Sequence, residues 1–135
     1  CDQGEQKFVY SFYAYNGCLM NSGVVQQGYD LNVPAAVLPG AREDGSLLTI
    51  GAENVILEAL KPAEDGSGDY ILRMYETMRT ATDTELTLNL PCSSVSACNM
   101  LEEDGEDVAV EKKGESASVK LSFRPFEIKT LRVRP

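Results

Sequence analysis

Along most of the second half of the chain, apolar residues recur at every second position. "TELTLNL" (84–90) sets Leu86, Leu88 and Leu90 on one phase and Glu85, Thr87 and Asn89 on the other, as a strand with one buried and one wet face requires. "SASVKLSF" (116–123) repeats the alternation with Val119, Leu121 and Phe123. "NVILEALKPA" (54–63) and "DYILRMYE" (69–76) flank the loop "EDGSGD" and predict a long hairpin. "PAAVL" (34–38), "SLLTI" (46–50), "VSACNML" (95–101) and "VAVE" (108–111) read as shorter strands. Between them, "GAREDG" (40–45) is a loop, and "EEDGED" (102–107) and "KKGE" (112–115) are turns. Strands about ten residues apart, joined by Asp-Gly and Lys-Gly turns, predict an all-β fold, an antiparallel β-sandwich.

Two segments depart from this pattern. "KFVYSFYAY" (7–15) is apolar or aromatic on both phases, which predicts a strand covered on two faces. Ser22 is placed to cap one short helix over residues 22–31, with Val24, Val25, Tyr29 and Leu31 near helical spacing and Pro34 as the stop. At the other end, "SVKLSFRPFEIKTLRVRP" slips phase. Phe123 is on the odd positions, whereas Phe126 and Ile128, after Pro125, are on the even ones. Proline donates no ladder hydrogen bond, so a bulge, an edge or a corner of a sheet is expected there.

The length of 135 residues suits a single β-sandwich domain over 1–135. No apolar run approaches the roughly 18 residues of a membrane span. With 21 Asp+Glu against 12 Lys+Arg, the chain lacks the positive footprint that nucleic acid or an anionic membrane would need. Histidine is absent, which removes the commonest metal ligand and general base and leaves Ser and Thr without an activating partner. The four cysteines, Cys1, Cys18, Cys92 and Cys98, include no C-x-x-C, and the expectation is free thiols in a reducing compartment, the cytoplasm. Glu64, Asp65 and Asp69 in the hairpin loop lack EF-hand spacing, so a plain loop is expected rather than a calcium site. Cys1 admits a lipidated terminus, but strand-like sequence starts by Lys7 with no flexible tether between. A piece of a longer protein is the favoured reading.

The closing "RPFEIKTLRV" resembles the last strand of α-mannosidases of glycoside hydrolase family 38. "ENVILEALKPAEDGSGDYILRMYE" is similar to the hairpin in their C-terminal β-domain, and "DQGEQKFVYSFY" and "GVVQQGYDLNVP" to the two segments before it. The chain departs from that pattern at Gln6 and at Ala14-Tyr15, where many relatives carry histidine. The resemblance implies a parent enzyme that is zinc-dependent, retaining and active on α-linked mannose. It also implies that the nucleophile, the acid/base and the zinc ligands lie in catalytic and middle domains outside these residues. No catalytic, cofactor-binding or metal residue is expected here, and the partners implied are those two domains and, through them, a mannose-containing glycan.

Arg73, Tyr75, Glu76 and Arg79, at one strand end and its loop, are candidate interdomain contacts, as are Tyr13 and Tyr15. Arg124, Phe126 and Lys129 admit two readings, edge decoration and docking surface, and edge decoration is the expectation. A second function class is a free-standing carbohydrate-binding or interaction module anchored through Cys1. Sugar platforms usually rest on exposed tryptophan, and the chain has none.

Overall fold

A computed structural model describes residues 3–40 and 45–135, with the side chains of Asn21 and Asp104 outside that description. The chain divides into two compact units whose described parts are these two segments.

The second unit is built from β1 (Leu48–Ile50), β2 (Val55–Pro62), β3 (Tyr70–Glu76), β4 (Thr82–Leu88), β5 (Ser94–Cys98), β6 (Asp104–Val108), β7 (Val110–Lys113), β8 (Ser116–Phe123) and β9 (Ile128–Arg134). They form a four-stranded sheet, β1-β4-β8-β7, and a five-stranded sheet, β2-β3-β9-β5-β6. Every pairing is antiparallel. The fold is an antiparallel β-sandwich, as the two-residue period predicts.

The alternation positions the core. Leu86 and Leu88 of β4 face Val119 and Ala117 of β8 across the ladder, and these four pack in one cluster with Leu72, Met74, Val95, Leu131 and Val133 of the other sheet. Leu72, Met74, Leu86, Leu88, Val119 and Val133 keep no exposed surface. The opposite phase of the four-stranded sheet is wet and laced with ion pairs: Lys113 with Glu85, and Lys120 with Glu111.

The phase slip at Pro125 marks a change of sheet rather than a bulge within one strand. β8 lies in the four-stranded sheet and β9 in the five-stranded one, and Arg124–Glu127 is the turn between them, closed by the Glu127 N–H donating to the Arg124 carbonyl at 3.0 Å. The acidic run is a second correction. Only its start turns the chain, and Asp104 to Val108 pair with β5 as β6, because a strand at a sheet edge tolerates charge that would be excluded from its centre.

The first unit holds a 3-10 turn (Leu19–Asn21) and one helix, α1 (Val24–Asn32). Gly23 occupies the N-cap position, and Ser22 acts from one residue before it. The Ser22 hydroxyl donates to the Leu19 carbonyl and accepts the Val24 N–H. The helix stops at Val33, ahead of Pro34, as expected. Residues 7–15 form no strand, and neither do 34–38. A strand needs a pairing edge, and among the described residues of this unit there is none. Phe8, Val9, Tyr10 and Phe12 are at least 80% exposed.

The fold yields one quantitative expectation. Leu72→Ala removes a fully buried side chain between the sheets and should cost about 2–5 kcal/mol. Leu47→Ala, at an exposed position, should fall within about 0.5 kcal/mol. Urea unfolding midpoints measure the difference.

Candidate functional site

Two features of the sandwich unit stand apart from its core: a buried carboxylate at one end, and the outer face of the five-stranded sheet.

Glu76 ends β3 and is fully buried. Its Oε1 accepts the Met78 N–H at 2.6 Å and the Asn54 amide at 2.9 Å, and its Oε2 accepts the Phe126 N–H at 2.9 Å. Burial pushes this carboxyl up, but the bonds from Phe126, Asn54, Met78 and Thr80 outweigh it and hold the group below its ordinary value. Asn54 also donates to the Thr82 hydroxyl, and its carbonyl accepts from the Thr77 N–H and hydroxyl.

The β8–β9 turn is fastened from the same point. Glu127 Oε2 accepts the Arg124 N–H, Glu127 Oε1 accepts the Arg124 guanidinium, and the Glu76 N–H donates to the Glu127 carbonyl. Pro125 occupies the second turn position. Phe126 occupies the third with φ 58°, the position where a type II turn normally carries glycine or asparagine. A left-handed backbone on a bulky aromatic costs about 1–3 kcal/mol.

The outer face of the five-stranded sheet has two halves. In one, the register sets Lys61, Ile71, Arg132, Ser96 and Asp107 in a row across the strands. Ile71 is fully buried although it is not part of the core cluster, and it lies between Lys61 and Arg132 in the register. Arg132 pairs with Asp65 at 2.9 Å and Asp69 at 3.6 Å, and Lys61 reaches Glu64 and the buried Glu102 at 2.6 Å each. The Glu102 bond, chiefly, raises the Lys61 amine, while the Ser67 N–H, followed by the Ser67 hydroxyl and Arg132, brings Asp65 down to about 2. The other half is apolar: Ile56, Tyr75 and Ile128 form a row across β2, β3 and β9, and Ile128 is 57% exposed. Between the halves, Arg73 donates to the Thr130 hydroxyl and the Met100 carbonyl.

The structure thus sets Arg73 and Tyr75 on one outer face. Glu76 turns inward and has no exposed surface left with which to meet another domain. Arg79 sits in the exposed β3–β4 loop with φ 54°. In the first unit, Tyr13 and Tyr15 stack at 6.2 Å, and the Tyr13 hydroxyl donates to the Ser22 carbonyl. Asn54 and the Lys61–Glu102 and Arg132–Asp65 pairs are absent from the sequence-based candidates, since no local pattern announces pairs so far apart in the chain. The Pro-Phe of "RPFE" does carry a signal, a proline at the second position of a tight turn.

An open polar cleft of about 540 Å³ lies beside β5 and β6, lined by Ser93, Ser94, Ser96, Asp107 and Arg134 among others, with no aromatic wall. Cys18 and Cys92 are free thiols. Burial pushes the Cys92 thiol up. Among the described residues no three or more Cys, Asp or Glu are grouped to hold a metal, and none forms a helix long and apolar enough to cross a membrane.

Glu76→Gln puts an amide NH2 where donors converge and should destabilise the chain by about 2–4 kcal/mol, read from urea unfolding at neutral pH. Acid should act through the same kind of bond. Because Asp65 falls from 3.8 unfolded to about 2 folded, its contribution is complete above about pH 4 and is lost as the pH drops toward 2. Asp65→Asn should flatten the fall of the unfolding midpoint between those pH values.

The sequence profile of the family described as "Glycosyl hydrolases family 38 C-terminal beta sandwich domain" matches residues 54–131. "Alpha-mannosidase G" of Dictyostelium discoideum is 33% identical over 142 residues, which cover 98% of this chain and 13% of that protein. "Alpha-mannosidase 2C1" of Mus musculus is 29% identical over 136 residues, 96% of this chain and 13% of its own. The chain therefore spans about an eighth of the length of these curated relatives. The profile runs from Asn54 into β9 over a unit that is itself a β-sandwich, and the chain belongs to the C-terminal β-sandwich domain family of glycosyl hydrolases family 38.

Proposed function

We propose that this chain is a non-catalytic domain of a larger, cytoplasmic α-mannosidase, and that it supports the catalytic and middle domains by docking the outer face of its five-stranded sheet against them. The observation that carries the reading is the row Ile56, Tyr75 and Ile128 on a face turned away from the core. The equivalent face of the four-stranded sheet presents ion pairs to water, so the two sheets differ where a free-standing sandwich would keep both polar. Both relatives bear alpha-mannosidase names and continue far beyond the matched region, which supplies the surface to dock against. Arg73, between the two halves of the face, is a rim contact. Tyr13 and Tyr15 are a separate contact made by the first unit.

In this reading α-linked mannose is the substrate of the whole enzyme, and its zinc belongs to the catalytic domain. The residues of this chain do not suit that ion: histidine is absent, and among the described residues no acid or thiol cluster converges on a point. No step of glycoside hydrolysis runs through these side chains.

Two experiments test the proposal. The chain alone, with or without added zinc, should release no aglycone from an aryl α-mannoside above a buffer blank, and zinc-dependent turnover would overturn its non-catalytic role. In the full-length protein, Ile128→Asp should shorten the half-life of mannosidase activity at a fixed elevated temperature severalfold, because a charge would be buried in the docked face. Thr49→Asp, on the wet face of β1, should leave it unchanged. Equal effects of the two would count against docking through the five-stranded sheet.

A further inference from the structure

Two penalties fall on one residue of the β8–β9 turn. Phe126 holds φ at 58°, in the region where glycine or asparagine carries less strain. The residue is also 61% exposed. The sandwich requires neither. Asparagine or glycine would take the same backbone and make the same N–H bond to Glu76, and the ring is not part of the core cluster.

The turn that presents the ring is nevertheless locked on both sides. The Phe126 N–H is held by Glu76, the turn is closed by the Glu127 N–H on the Arg124 carbonyl, and Glu127 accepts both the N–H and the guanidinium of Arg124. An aromatic side chain on a backbone already fixed has little freedom left to lose on association, which is what makes an effective anchor. The local charge is also balanced: Arg124 at 3.0 Å and Lys129 at 3.5 Å share Glu127, and the Glu76 carboxylate held by the Phe126 N–H is the second acid. A neutral turn tip with an exposed ring suits an apolar pocket rather than a charged one. Two residues on, Ile128 begins the apolar row with Tyr75 and Ile56, so the ring adjoins that row in the chain.

Building on the docking reading above, we propose that Phe126 is the anchor of the docked domain, its ring filling an apolar pocket on the part of the parent polypeptide outside these residues. The occupant is the parent chain because the relatives extend far beyond the 13% of their length matched here. That leaves a large protein surface held at high effective concentration by the same backbone.

The test uses the full-length protein carrying Phe126→Asn, Phe126→Gly or Phe126→Leu. Asparagine and glycine favour positive φ, so a residue that serves only the turn would lose nothing by either change. An anchor would. The Asn and Gly variants should be cut between this domain and the remainder about tenfold faster in limited proteolysis, matching a loss of about 1.4 kcal/mol of docking, and should inactivate correspondingly faster on heating. The Leu variant, which keeps an apolar side chain, should recover most of the difference. Asn and Gly variants that behave like the wild type, or better, would overturn the anchor. If Ile128→Asp still weakens the enzyme in that case, the docked face stands and only the anchor falls; if it too is silent, both fall. An Asn variant that turns a dimer into a monomer without changing the rate of domain release would seat the ring on a second copy of the chain, and would also overturn the proposal.

Discussion

The sandwich depends on a carboxylate that, among the described residues, is held by dipoles rather than by a paired cation. Three connections carry the chain from one sheet to the other at the Glu76 end: β1 to β2, β3 to β4, and β8 to β9. Glu76 holds all three, through the Asn54 amide, the Met78 N–H and the Phe126 N–H. A buried charge of this kind is tolerated only where fixed dipoles replace water on every side. Here the dipoles are the donors of connections that would otherwise leave their own N–H groups unsatisfied. One group therefore meets two needs: it keeps its charge by closing the ends of both sheets.

The two outer faces follow from what that closure leaves free. With register and connections fixed, the four-stranded sheet shows water a ladder of exposed ion pairs, each worth little to stability. The five-stranded sheet pairs its charges around the buried Ile71, Arg132 with Asp65 and Asp69 and Lys61 with Glu102. Such a face has its charges already paired at one end and apolar side chains at the other. Little solvation is lost when another protein surface covers it.

Strand existence was legible wherever one phase was apolar and the other polar. "TELTLNL" and "SASVKLSF" became β4 and β8, paired as their patterns demand. "KFVYSFYAY" has equal strand character but no pairing edge in its own unit, and β-propensity without a neighbour forms nothing. "DGEDV" has no apolar alternation at all, yet it is β6, because the β5 edge supplied the pairing that the side chains did not request. Of the candidate contacts, Arg73 and Tyr75 could be placed on one face from strand parity alone. Glu76 could not be recognised as internal, since its donors come from residues 22 and 50 positions away and from the loop just beyond it. The left-handed Phe126 was hinted at by the proline before it, but the residue type itself pointed elsewhere.

At Ala109 a single residue separates β6 from β7, and the strand passes from the edge of one sheet to the edge of the other without a loop. Val108 pairs in the five-stranded sheet, and Val110 in the four-stranded sheet. The two sheets are thereby bound like the covers of a book along this spine, and they cannot slide past one another there. At the opposite edge β1 and β2 are joined by residues 51–54, and Glu76, holding the Asn54 amide, is the clasp on that side.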